Sequence, residues 1–104
     1  MATAIPRSNL VVTVQLKVKP RSVNKMRVIA HDLIMASRGE DGCVLYLITE
    51  SADDETKFFI YMVWFDEESY QKHAGSPYVR AFMNEIAREI LEKRVVTDKW
   101  HSLG

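Results

Sequence analysis

Tyr70 and His73 stand three positions apart, and Trp64 precedes them by six and nine. On a helix that spacing puts a phenol and an imidazole on one face, one turn apart. An imidazole titrates near neutrality, so it can take up or pass on a proton. A phenol hydroxyl can donate a hydrogen bond to an oxygen that is gaining negative charge. A plainer reading stands beside this one. Trp64 and Tyr70 fit core aromatics whose polar tips find a partner. His73 fits a structural residue packed against a sheet, because no carboxylate stands near it in sequence to orient it as a base. His31 is next to Asp32, but adjacent helical positions point apart, so that pair is no dyad. Arg80 and Arg88 can reach a phenolate or carboxylate, and they equally fit solvated helix faces.

Other chemistries find little support. One cysteine, Cys43, and three scattered histidines do not make a zinc site. There is no glycine-rich phosphate loop and no Gly-x-Ser-x-Gly, so neither a cofactor nor a metal is expected. Lys+Arg and Asp+Glu number 14 each, and the net charge is zero. Nucleic-acid and anionic-membrane partners call for a basic patch that this balance does not suggest. The longest apolar run, Phe58 to Phe65, is far too short to span a membrane. The first residues lack a basic stretch followed by an apolar one, and a lone cysteine forms no internal disulfide, so the expected compartment is the cytoplasm.

The elements that must position these residues follow from periodicity. The 104 residues fit one domain. Met1 to Ser8 read as a loose arm, and residues 9–104 as the folded unit. Leu10, Val12, Val14, Leu16 and Val18 alternate with mostly polar neighbours, which predicts a half-buried strand ended by Pro20. Ser22 is expected to cap a helix running to about Ser37, with Val23, Met26, Ile29, Ala30, Leu33 and Ile34 as its buried stripe. Gly39 suits the left-handed position after that helix. Cys43 to Thr49 and Lys57 to Phe65 read as strands joined by a polar hairpin loop. Asp66 caps a short helix whose first turn holds Glu67 and Glu68, favoured there by the helix dipole. Ser76-Pro77 starts another helix, expected to bury Val79, Phe82, Met83, Ile86 and Ile90 and to end near Lys93 and Arg94. Val95 to His101 reads as the last strand. The order β-α-β-β-α-α-β predicts an α+β fold of the ferredoxin-like, split β-α-β type, an antiparallel sheet with helices on one face.

The third strand is apolar on both faces. Phe58, Ile60, Met62 and Trp64 point one way, and Phe59, Tyr61, Val63 and Phe65 the other. Burying one such side chain is worth roughly 1.5–3 kcal/mol, and four left exposed would form an aggregation patch. The helices cover one face only. A homodimer through Phe59, Tyr61, Val63 and Phe65 is therefore expected, with a fold-over of a helix or of the N-terminal arm as the other way to cover the patch.

The segment Gly42-Cys43-Val44-Leu45-Tyr46 after an acidic turn, the block Trp64-Phe65-Asp66-Glu67-Glu68-Ser69-Tyr70, then His73 and Ser76-Pro77-Tyr78 resemble the antibiotic biosynthesis monooxygenase-like family over about Leu10 to Leu103. The resemblance implies a dimeric α+β barrel with a pocket between sheet and helices. Members include oxygenases that oxidise anthrones and quinols without flavin, haem or metal, and also isomerases and haem-degrading enzymes. By that resemblance Trp64 and Tyr70 line the pocket, His73 or Tyr70 handles protons, and Tyr46, Ile60, Met62, Tyr78, Phe82 and Met83 border the substrate. Departures are visible. Met62 and Ile60 stand where many members carry Glu and the anthrone oxygenases Asn, and Met83 stands about where haem-degrading members ligate iron through His. The implied activity is a cofactor-independent monooxygenase of small aromatic, quinol-like or polyketide-like substrates. A non-catalytic dimer binding an apolar ligand and a proton-shifting isomerase are the alternatives, since fold alone does not fix function.

Overall fold

Alternation along β1 (Leu10–Val18) sets the frame of the molecule. The computed structural model describes residues 9–103; the arm expected over residues 1–8 lies outside them. After a 3₁₀ turn at Pro20–Ser22 come α1 (Val23–Arg38), β2 (Cys43–Glu50), β3 (Lys57–Trp64), α2 (Glu67–Ala74), α3 (Pro77–Glu85), a π-helical turn (Ile86–Ile90) and β4 (Leu91–His101). The strands form one antiparallel sheet in the order β2-β3-β1-β4. This is the ferredoxin-like α+β arrangement that the element order predicts.

Register explains the two faces. Residues directly opposite across an antiparallel pair share a face. Met62 lies opposite Val12 and Tyr46, and Ile60 opposite Val14 and Ile48. This face packs with Met26, Ala30 and Leu33 of α1 and Phe82 of α3 into the main core. On the other face Val63 lies opposite Val11 and Leu45, and Tyr61 opposite Thr13 and Leu47. Trp100 is opposite Val11, and its indole N–H donates to Thr13 Oγ1 at 2.9 Å. No described helix packs there, and large apolar side chains stay accessible: Phe59 is 38% exposed and Trp100 53%.

Four local expectations are corrected. Met83, expected in the buried stripe of the last helix, is exposed. Gly39 is right-handed, with φ −80°, so the helix end does not exploit glycine's freedom. The Ser22 side chain makes no capping bond, and a 3₁₀ turn beginning at Pro20 leads into α1 instead. The last helix stops at Glu85 rather than near Lys93, because the chain widens into the π turn and joins β1 from Leu91 onward. Ile86 and Ile90 remain fully buried through that turn, and Lys19 N–H donates to the Ile90 carbonyl at 2.7 Å.

Candidate functional site

The start of α2 is fixed tightly. The Asp66 carboxylate accepts from both the Ser69 backbone N–H and the Ser69 hydroxyl, each at 2.8 Å. Both bonds hold the carboxyl below the usual carboxylate range. The turn between α1 and β2 presses on this helix start. Phe65 N–H donates to the Gly42 carbonyl at 2.8 Å, and a Cβ on Gly42 would lie 2.2 Å from Ser69 Oγ. At the end of α1, Arg38 ties its guanidinium to the Tyr46 carbonyl at 3.0 and 3.2 Å. These contacts bring Glu40, in the turn, to the flank of α2.

There Glu40 meets His73, which is only 3% exposed. His73 Nδ1 lies 2.8 Å from Glu40 Oε2. The Tyr78 hydroxyl donates to the same carboxylate oxygen and stands 3.4 Å from Nδ1. A carboxylate can only accept, so Nδ1 is the nitrogen that carries the proton, and Nε2 keeps the lone pair. Trp64 is fully buried and lies against the imidazole, with ring centroids 4.4 Å apart and planes 34° from parallel. Its indole N–H reaches Met62 Sδ at 3.3 Å. Tyr46 approaches the imidazole edge-on at 5.7 Å, and Tyr70 lies 6.4 Å away.

Electrostatics suit a neutral base. Burial pushes the His73 pKa down, while its bond to Glu40 and that residue's charge act in the opposite sense. The ring is thus neutral at pH 7 and able to accept a proton. Burial, then the bond to Glu40, pushes Tyr78 up to about 12, and burial pushes Tyr46 up to about 12. Both phenols stay protonated, and Tyr78 donates to Glu40. The arrangement is a base with an orienting carboxylate, the pairing that general-base catalysis needs.

Beside it lies a cavity of about 150 Å³ between sheet and helices. Of the residues singled out in the sequence, Tyr46, Ile60, Met62, Tyr70, His73, Phe82 and Met83 line it. Trp64 does not; it backs the imidazole from the core. Tyr78 does not either, acting on Glu40 from behind. Val14, Leu33 and Thr97 also line the cavity without having been singled out as site residues. Glu40 was missed altogether, and its one signal was the acidic turn between Gly39 and Gly42. A wider hollow of about 320 Å³, edged by Lys17, Lys57 and Lys93 beside Phe59, lies away from this cluster. Among the described residues no group of three or more His, Cys, Asp or Glu side chains is placed to hold a metal ion, and no helix is long and apolar enough to cross a membrane.

Comparison with known proteins completes the picture. The family model described as antibiotic biosynthesis monooxygenase matches residues 9–85. A protein of Mycobacterium tuberculosis, Rv0793, is 23% identical, with 93% of this chain and 97% of that one covered and a TM-score of 0.86. A Nitrosomonas europaea protein provisionally named an antibiotic biosynthesis monooxygenase is 18% identical, with 95% and 94% covered and a TM-score of 0.87. A Pseudomonas aeruginosa protein, PA3566, is 20% identical, with 93% and 96% covered and a TM-score of 0.84. At these identities the structures speak for the fold. No curated protein matches the chain.

Proposed function

From its place in the antibiotic biosynthesis monooxygenase family, to which this chain belongs, we propose that it is a cofactor-independent monooxygenase of small phenolic or quinol-like substrates. The observation that carries this reading is the buried His73 imidazole, held through Nδ1 by Glu40 at the wall of an apolar cavity.

The chemistry runs as follows for a phenol or quinol with a hydrogen on a carbon ortho or para to the ionising hydroxyl. His73 Nε2 takes the phenolic proton, and the Tyr70 hydroxyl hydrogen-bonds the substrate oxygen as its charge grows. That electron-rich ortho or para carbon gives electrons to O₂ and forms a C–O bond. The imidazolium protonates the outer oxygen, making a hydroperoxide. Removal of the remaining C–H proton breaks the O–O bond. This leaves C=O on the ring and hydroxide, which the imidazolium protonates to water. One O₂ is consumed, one oxygen atom enters the ring, and the phenol supplies four electrons as it becomes a quinone. Trp64 keeps water from the back of the imidazole, and Glu40 stabilises the imidazolium each time it forms.

The working unit in this proposal is a cytoplasmic homodimer joined through the sheet face that bears Phe59, Tyr61 and Val63, with Phe65 beside it. Its support is the accessible apolar surface there, where Phe59, Phe65, Val96 and Trp100 are exposed, since exposed apolar patches mark interaction sites.

The test is oxygen consumption with a panel of quinols and anthrones. Uptake above the autoxidation background is expected, with one O₂ used per quinone formed. A panel that gives no uptake would overturn the oxygenase reading. The same Glu40–His73 base would serve a proton-shifting isomerase, which would turn over its substrate without drawing on O₂.

A further inference from the structure

Resting on the oxygenase reading of the same site, we propose that the cavity beside His73 is a one-ring slot: its substrates are monocyclic phenols and hydroquinones, and fused tricyclic phenols are excluded. Size is the first argument. The cavity holds about 150 Å³, whereas pockets for multi-ring ligands run about 300–1,000 Å³. In another protein, an engineered apolar cavity of about 150 Å³ binds benzene, a single six-membered ring.

The walls are the second argument. Ile60 and Met62 rise from the middle of β3, each almost wholly buried and paired on both sides by neighbouring strands. Side chains on a central strand cannot withdraw without moving the sheet. Phe82 closes the cavity from α3 and is itself part of the main core. Close-packed walls of this kind yield little to an oversized guest, because insertion forces side chains off their rotamers. Only Met83 among the α3 residues here is substantially open, at 38% exposed, which places it at the mouth.

Polarity is the third. Tyr70 and His73 both project from α2, while the other polar groups on the cavity wall, Tyr46 and Thr97, come from the sheet. The wall made by Val14, Leu33, Ile60 and Phe82 is apolar. A ring with one oxygen directed at α2 and, in a hydroquinone, the second directed at the sheet-side Tyr46 or Thr97 keeps its carbon edges against hydrocarbon. The positions that set the size limit are therefore Phe82 and Met83 on the helix side and Ile60 on the sheet side.

The experiment measures binding without oxygen and then turnover with it. Under nitrogen, titration calorimetry compares hydroquinone, 1,4-dihydroxynaphthalene and the tricyclic dithranol on the wild-type protein, Phe82→Ala and Met83→Ala. Hydroquinone is expected to bind saturably and at least about tenfold more tightly than dithranol. Shortening either side chain is expected to improve binding of the two-ring naphthalenediol by about tenfold relative to hydroquinone. Met83→Ala keeps the test alive if Phe82→Ala does not fold, since Met83 contributes little to the core. Dithranol binding as tightly as hydroquinone to the wild type, or no saturable hydroquinone binding, would overturn the one-ring slot. Admitting air separates the two readings. Size-selective binding without oxygen uptake sinks the oxygenase and leaves the slot; uptake with dithranol equal to that with hydroquinone sinks the slot and leaves the oxygenase.

Discussion

A single carboxylate changes what His73 can do. Without Glu40 the ring nitrogens could exchange roles; with it, Nδ1 holds the proton and Nε2 is the base. Replacing His73 by Ala is expected to lower oxygen uptake by about 10²-fold or more, the range for loss of a general base. Glu40→Gln is expected to lower it less and to leave a mark that a merely structural role would not. Glu40 raises the His73 pKa against burial, so its loss should move the acid limb of kcat/KM to lower pH, read directly from a pH–rate profile. Stability carries the same signature. The folded His73 pKa lies below its ordinary value of 6.5, so below about pH 6.5 the unfolded chain binds that proton before the folded one does. Stability should therefore fall as pH drops through this window, and the dependence of Tm on pH should flatten in His73→Gln relative to wild type. Tyr70 and His73 were legible in the sequence because both lie on one short helix. The partnership with Glu40 was not, because it joins positions 33 apart through a corner whose closure depends on Arg38, Gly42 and Ser69 together.

Elements place these residues, and their ends do most of the placing. The Asp66 cap orients α2 and with it both Tyr70 and His73. Asp66→Ala is expected to cost about 1 kcal/mol, as loss of a capping carboxylate does, measured by chemical denaturation. Gly42 acts from the other side of the same junction. A methyl there would overlap Ser69, so Gly42→Ala should destabilise by about 1–3 kcal/mol and loosen the hold of Glu40 on His73. The strands and helices of the first two thirds were readable because their periods are clean. The last third was not. Val79, Phe82, Met83, Ile86 and Ile90 keep helical spacing, and nothing local says where the helix must give way. Pairing with β1 decides it: Leu91 sits opposite Val18 and Lys93 opposite Lys17. Tertiary pairing there overrides a helical pattern that sequence alone would continue.

At the scale of the molecule, the doubly apolar β3 was legible from alternation alone, and the register shows how far the feature spreads. Leu45, Val63, Val11 and Trp100 form one continuous row across all four strands. Sedimentation at micromolar concentration is expected to give a dimer, and Phe59→Asp to shift it toward monomer while preserving the fold, since Phe59 is already 38% exposed. A wild-type monomer would mean that something else covers the face. The strand order 2-3-1-4 has a consequence in time as well as in space. Of the four described strands β1 leaves the ribosome first, yet it must end inside the sheet. Leu10 waits for Trp64 on one side and His101 on the other. Pairings so distant along the chain are slow to close, and until they do, a valine-rich strand has both edges open to any chain nearby. The nascent protein is thus most vulnerable through the segment that, once folded, is among its best protected.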